Sequence, residues 1–324
     1  MTGSLGIPHL ETMRARILAS LPSDPVQWAA CQVVIHGLGL GLRDTLRFLH
    51  ENRPDLVAFE RWVLERNSGA LEEKRVAWVN EAVERALTGA GVRPLPADFQ
   101  PVFTADEMRF WDENGYVVLH GAVPPEDCGN AARAIWDFLG ADPDSPDSWG
   151  TEKCDGLMVP LVRHPAFDAN RGVSRIRRAF AQLWSTDDLC ATADFGGFNP
   201  PERPDRSFRG QGLHWDTSLV QPIPLQIQGV LYLTDTPAEQ GAFRCVPGFH
   251  RRIGEWLSAL PAEADPRGQD LSGEAIGVAG LAGDMVLWQS ALPHGASPNR
   301  GRRPRLVQYI AYFPLGGSDG RPWV

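Results

Sequence analysis

The first chemical signal sits in "GLHWDTS", Gly212 to Ser218, where His214 and Asp216 stand two positions apart with Trp215 between them. In an extended segment residues i and i+2 point to the same side. His214 and Asp216 can therefore face one point while Trp215 turns away. Two ligands from one strand need a third, and "WQSALPHGASPNRGRRPRL" supplies His294 just past the apolar run "DMVLW". Two histidines and one carboxylate on one face of an octahedron leave three positions open, the facial arrangement of non-haem iron(II) oxygenases. The competing reading is a hydrogen-bonded turn pair and an unrelated loop histidine.

Open positions on iron(II) suit two oxygens of 2-oxoglutarate and one dioxygen. The distal carboxylate of that co-substrate needs a fixed cation, and the planar fork of arginine fits it. Arg305 follows His294 by eleven residues and begins "RLVQYIAYF", sharing a strand face with Val307 and Tyr309. Its neighbours Arg300, Arg302 and Arg303 read as a solvated loop.

"LQIQGVLYLT" alternates, with Leu225, Ile227, Leu231 and Leu233 on one face and Gln226, Gln228, Tyr232 and Thr234 on the other. In an ordinary sandwich the polar face is solvated; in a metal barrel it lines the cavity. On the second reading Gln228 and Thr234, with Ser297 just past His294, are candidates for holding 2-oxoglutarate, and Tyr232 for touching substrate. Arg209 and Gln211, in the segment expected to cover the cavity mouth, are further substrate-contact candidates. The remaining histidines, His9, His36, His50, His120 and His164, have no partners at ligand spacing.

These elements bring a resemblance with them. "GLHWD", "GVLYLTDTPAEQGAFRCVPGFH", "GDMVLWQSALPHGASPN" and "RPRLVQYIAYF" resemble the phytanoyl-CoA dioxygenase family of iron(II)/2-oxoglutarate oxygenases, and "ENGYVVLHGAVPPEDC" resembles that family's usual N-terminal segment. The likeness covers about residues 102 to 315. It implies a double-stranded β-helix core with His214, Asp216 and His294 as iron ligands and Arg305 on the distal carboxylate. Related halogenases carry a small residue in place of the carboxylate, so Asp216 argues against halogenation. His250, in the family's "VPGFH" turn, reads as a structural turn residue.

The elements that must position these groups divide the chain. The first ~95 residues read mostly as helix. "LRDTLRFLHENRP" carries Leu42, Leu46 and Leu49 at helical spacing, and "GALEEKRVAWVNEAVERALTG" places Val76, Val79, Val83 and Leu87 on one stripe before the stop at Gly89. "GAGVRPLPADFQP" reads as a linker. A second unit opens at Thr104, with Glu107 three residues on as a capping box, and "YVVLHG" follows as a strand. From about Cys190 short β-like runs alternate with Gly/Pro turns, which suggests a sandwich or barrel, the double-sheet jelly roll among them. The expected architecture is a mostly β, cupin-like double-stranded β-helix over 99–324 with an N-terminal helical annex over 1–98.

"CQVVIHGLGLGLRD" looks like a strand running into a glycine-rich turn and a helix, which resembles a dinucleotide- or S-adenosylmethionine-binding start. Leu42 occupies the place of the third fingerprint glycine, however, and roughly sixty residues cannot supply the rest of a doubly wound sheet. A glycine-rich turn in a small annex is the simpler reading.

The 324 residues carry a net charge of −9 and 43% hydrophobic residues. That balance argues against general nucleic-acid binding and suits a protein with a sizeable core. No long apolar run predicts a membrane span, and no basic region followed by an apolar stretch predicts a secretory signal. Five scattered cysteines in no CxxC spacing read as reduced thiols of a cytoplasmic protein.

The expected function is an iron(II)- and 2-oxoglutarate-dependent dioxygenase that hydroxylates an unactivated C–H of a small metabolite or natural-product intermediate, consuming O2. A cupin-like isomerase or hydrolase without 2-oxoglutarate, and a non-catalytic metal-binding regulatory protein, are the alternatives. The expected partner is a small molecule, with no nucleic acid or membrane, and the N-terminal helices could cover the core or form a homodimer contact.

Overall fold

The computed structural model describes residues 5–21, 24–88 and 92–316. Gly89, read above as a helix stop, and the first residues of the Gly/Pro-rich stretch lie outside the described residues. Five helices come first: α1 (His9–Leu18), α2 (Pro25–Gly37), α3 (Leu42–Asn52), α4 (Leu56–Arg66) and α5 (Glu73–Thr88). Then follow α6 (Ala105–Asn114), β1 (Tyr116–Leu119), α7 (Pro125–Leu139), β2 (Met158–Val159), α8 (Pro165–Arg171) and α9 (Ser174–Trp184). The remainder is β3 (Leu189–Ala191), β4 (Gly196–Asn199), β5 (Ile227–Tyr232), β6 (Phe243–Cys245), α10 (Ile253–Ala259), β7 (Ile276–Val278), β8 (Met285–Gln289), β9 (His294–Ala296), β10 (Arg305–Tyr309) and β11 (Tyr312–Pro314).

The described residues form two compact units: those up to 99 with 181–194 and 312–316, and 100–180 with 195–311. In the first, α1 to α5 enclose a core that includes Met13, Val33, Ile35, Phe59 and Val79. The predicted stripe of α5 is present: Val79 and Val83 are buried, and Val76 and Leu87 pack half-buried beside them. Strands β3 and β11 pair antiparallel in this unit.

"CQVVIHG" is helix, which corrects the strand reading. Asp24 caps α2 by accepting from the amides of Val26 and Gln27, and Pro25 starts its first turn. Ala29, Ala30, Cys31, Val33, Val34 and Ile35 are all buried, so the helix is apolar nearly all round and its continuous apolar run looks like a buried strand. A Cβ on Gly37 would stand 2.8 Å from a Val79 methyl, so glycine permits the close approach of α2 and α5. No nucleotide-binding βα unit exists there among the described residues.

The stretch read as a linker is tied down in the same unit. Pro94 bridges Thr186, and the guanidinium and backbone amide of Arg93 both reach Asp188. Arg85 grips the same carboxylate through both terminal nitrogens. Its hydrogen bond, joined by those of Arg93, outweighs burial and holds Asp188 well below the usual carboxylate range.

The second unit is built on antiparallel sheets. Six strands lie in the order β1-β8-β5-β10-β4-β2, and three in the order β7-β6-β9. A core of Val230, Tyr232, Val286, Trp288 and Val307 from the large sheet meets Phe243, Cys245 and Val278 from the small one. Two sheets facing each other over one core make the double-stranded β-helix. The capping box at Thr104 and Glu107 is present and opens α6.

Two predicted runs are broken in two: "CATADFGGF" yields β3 and β4, and "RLVQYIAYF" yields β10 and β11. In both cases the segments belong to different units, a division that local alternation cannot reveal. Strands β2 and β9, of two and three residues, are too short to leave a periodic signal. Among the described residues no helix is long and apolar enough to cross a membrane. All five cysteines are free and buried.

Candidate metal centre

His214 and His294 hold each other by the backbone. The amide of His214 donates to the His294 carbonyl at 2.9 Å, and the reverse bond is 3.0 Å. A Cβ on Gly295 would stand 2.9 Å from the Gly212 carbonyl oxygen, so only glycine lets the two ligand segments lie this close. Trp215 turns away from the site as the alternation requires. It is 3% exposed, packs against Phe249 and Trp256, and donates its indole N–H to the Ala291 carbonyl.

One ligand atom from each of His214, Asp216 and His294 lies within 4.8 Å of the other two. The ring tautomers follow from their partners. His214 Nδ1 sits 2.9 Å from the Gly212 carbonyl oxygen, and His294 Nδ1 3.0 Å from that of Leu292. A carbonyl oxygen only accepts, so each Nδ1 carries a proton and each Nε2 is the nitrogen left to face the site. Those Nε2 atoms stand 3.7 and 3.3 Å from the Asp216 carboxylate. Two ring nitrogens and a carboxylate converging on one point are the donor set of a cation site, where a metal ion takes the place of a proton shared between them.

The electrostatics agree. Burial, with neighbouring His294 next in effect, pushes the His214 imidazole down and keeps it neutral. Burial alone would raise Asp216, but its contacts with His294, Gln228 and His214 outweigh it and hold the carboxylate well below its usual range. A neutral imidazole at His214 and an ionised carboxylate at Asp216 are metal-binding protonation states.

Gln228 points into the barrel, and its amide Nε2 donates to Asp216 Oδ2 at 2.9 Å. It thus touches a ligand of the triad, a more specific placement than the cavity-lining position expected from alternation. Its Oε1 is buried without a partner, as is the indole Nε1 of Trp288, its register neighbour on β8. The Trp288 ring lies 5.0 Å from that of His294.

Arg267 is a residue the sequence did not reveal. Its guanidinium donates to the carbonyls of Trp215 at 3.0 Å and Thr217 at 2.7 Å, clamping the backbone on both sides of Asp216. It comes from a one-turn 3-10 segment far along the chain, and no local pattern announces such a contact.

Arg305 starts β10 and is 2% exposed. It faces inward on the side of Val307, with its Cζ 5.8 Å from the centre of the Tyr232 ring. Its Nε and Nη1 have no hydrogen-bond partner. A buried guanidinium without an acceptor is costly unless an anion completes it.

Tyr232, Thr234, Ser297 and Arg209 have partners of their own. The Tyr232 hydroxyl donates to the Val278 carbonyl and accepts from the Phe243 amide. That phenol therefore ties the two sheets together, and its ring rather than its hydroxyl faces Arg305. Burial pushes it up to about 12. Thr234 accepts from the Leu306 amide at 3.2 Å. Ser297 donates its amide to the Ala242 carbonyl and accepts at its own carbonyl from Asn199.

Arg209 and Gln211 are exposed, and Arg209 donates to the Thr151 carbonyl at 3.1 Å. His250 is a turn residue, with Nε2 3.1 Å from the Asp112 carbonyl oxygen. Arg300, Arg302 and Arg303 are exposed.

Comparison with known proteins places this geometry. The family described as phytanoyl-CoA dioxygenase (PhyH) matches residues 111–307. A Dictyostelium discoideum protein provisionally named a phytanoyl-CoA dioxygenase is 22% identical over 259 residues, 64% of this chain and 74% of its own length. The crystal structure of AviO1 from Streptomyces viridochromogenes Tue57 superposes with a TM-score of 0.50 at 18% identity, covering 68% of this chain and 99% of that one; a likeness at this identity concerns the fold. The epimerase SnoN, crystallised with Fe3+, alpha ketoglutarate and nogalamycin RO, has a TM-score of 0.47 at 17% identity and covers 64% of this chain and 82% of its own.

Proposed function

The chain belongs to the phytanoyl-CoA dioxygenase family, and from that premise we propose that it is an iron(II)- and 2-oxoglutarate-dependent oxygenase hydroxylating an unactivated C–H bond of a small metabolite or natural-product intermediate. The observation that carries this reading is the pairing of a His-Asp-His donor set with a buried, unpartnered arginine. An isomerase or hydrolase without 2-oxoglutarate, or a pure metal-binding protein, leaves the Arg305 nitrogens without an acceptor.

In this reading His214, Asp216 and His294 hold the iron, and Arg305 takes the distal carboxylate of 2-oxoglutarate. When bound, the iron and 2-oxoglutarate together supply the oxidant, with dioxygen consumed and succinate and carbon dioxide released. The chain's own work is positional. Gln228 and Arg267 orient Asp216 from its side chain and its backbone. The Gly212 and Leu292 carbonyls fix the imidazole tautomers. Phe243 and Trp288 wall His294 with apolar rings, which keeps bulk water from that side. Thr234 and Ser297 are proposed to complete the 2-oxoglutarate pocket. We assign the oxygenase to 99–324, whose segments 181–194 and 312–316 belong to the helical unit, and leave 1–98 as a helical region. We place the protein in the cytoplasm, on the strength of five buried free thiols.

The test is an anaerobic titration of metal-free protein with iron(II) and 2-oxoglutarate, following the visible metal-to-ligand charge-transfer band. The wild type develops the band, and His294→Ala does not. A band absent while iron binds would leave a metal site and remove 2-oxoglutarate from it.

A further inference from the structure

Apart from the metal centre, one cavity gathers cations and no acid. Its volume is about 50 Å³, room for roughly four water molecules or one small charged group. It lies among Trp149, Thr151, Phe198, Arg206, Phe208 and Arg209, and neither the triad nor Arg305 lines it. Among the described residues no aspartate or glutamate lines it either.

Both arginines are anchored with donors to spare. Arg206 exchanges two backbone hydrogen bonds with Arg203 and donates Nη2 to the Pro146 carbonyl at 3.3 Å. Its Nη1 is buried and has no partner. Arg209 spends Nη1 on the Thr151 carbonyl. Asp147 pairs with Arg203 at 3.0 Å, and Glu202 accepts from the Phe208 amide; Asp147 and Asp205 also act on Arg206 through space, but neither is hydrogen-bonded to it and neither lines the cavity among the described residues. The indole N–H of Trp149 is bound to the Asp142 carbonyl, so that residue offers the cavity only its ring. Two fixed guanidiniums beside aromatic walls form a recognition site for an anion with an apolar flank.

We propose that this cavity is a second anion-binding site. It takes a small carboxylate or phosphate whose charge lies against Arg206 and Arg209 and whose apolar flank lies on Trp149 and Phe208. It is separate from Arg305, so it stands whether or not the oxygenase reading does.

Isothermal titration of metal-free protein with benzoate, and separately with inorganic phosphate, tests the site. Saturable one-to-one binding of at least one anion is expected. Arg206→Gln weakens it at least tenfold, and Arg209→Gln, at an exposed position, about threefold. Arg305→Gln leaves it unchanged while abolishing the effect of 2-oxoglutarate. The proposal is overturned if neither anion binds, if both Arg206→Gln and Arg209→Gln bind like wild type, or if Arg305→Gln removes the binding. With wild type turning over 2-oxoglutarate, faster succinate release on adding the anion marks the head group of a substrate. An unchanged rate marks an anion site uncoupled from turnover, and both results presuppose the site.

Discussion

Asp188 and Arg305 are both buried charges, and the molecule treats them in opposite ways. In the helical unit Asp188 is gripped by Arg85 and Arg93, and even the Arg93 backbone amide joins in. In the β unit Arg305 has an aromatic ring beneath it and two nitrogens with nothing to bind. A charge closed off by the protein's own partners serves the fold. A charge kept open serves a ligand, and the folded state bears its desolvation until that ligand arrives.

Replacing each charge sharpens the contrast. Arg305→Met removes the proposed anchor without leaving a buried charge, so the Kd for 2-oxoglutarate is expected to rise by about 100-fold or more while Tm holds or increases. Calorimetry and a melting curve on the same sample read both, and a clear loss of Tm would mean Arg305 is structural after all. Gln228→Ala loosens Asp216 and weakens iron(II) affinity about tenfold, measurable by anaerobic titration; unchanged affinity would assign the Gln228 amide no part in holding the ligand.

Asp188→Asn leaves two guanidiniums half-satisfied and lowers Tm by roughly 5 °C, with the 2-oxoglutarate Kd unmoved. The smallest effect is in its pH dependence. Because the folded-state pKa of Asp188 is depressed, its contribution is complete above the unfolded carboxylate value near 4 and fades as pH falls below it. The gap in Tm between wild type and Asp188→Asn should therefore narrow on acidification below about pH 4. A gap independent of pH would mean that packing, not charge, makes the difference.

The readable parts of the sequence were those whose signal is local. The His-x-Asp pair, the capping box at Thr104, the stripe of α5 and the inward face of Arg305, Val307 and Tyr309 each follow from a spacing of a few residues. The alternation in β5 placed Gln228 and Tyr232 on the inner face, but it could not say that one would bind Asp216 and the other would join two sheets. Those partners are set by tertiary contact. Asp188 lies about a hundred residues from Arg85 and Arg93 in sequence, and Arg267 reaches its two carbonyls from a single turn. Arg206 has no spacing that sets it apart from the other charges of its segment. The strand reading of "CQVVIHG" failed because a helix buried on every side loses the periodicity that would identify it.

The reciprocal backbone bonds between His214 and His294 have a further consequence. They fix the two imidazoles to one another through the fold, so a chelator takes away the ion and leaves the ligands in place. A seat that stays made accepts whichever divalent ion is next in supply, and nickel and copper bind nitrogen and oxygen donors more tightly than iron(II) does. The metal found in a purified sample then records the last solution the protein passed through more than the cell that made it.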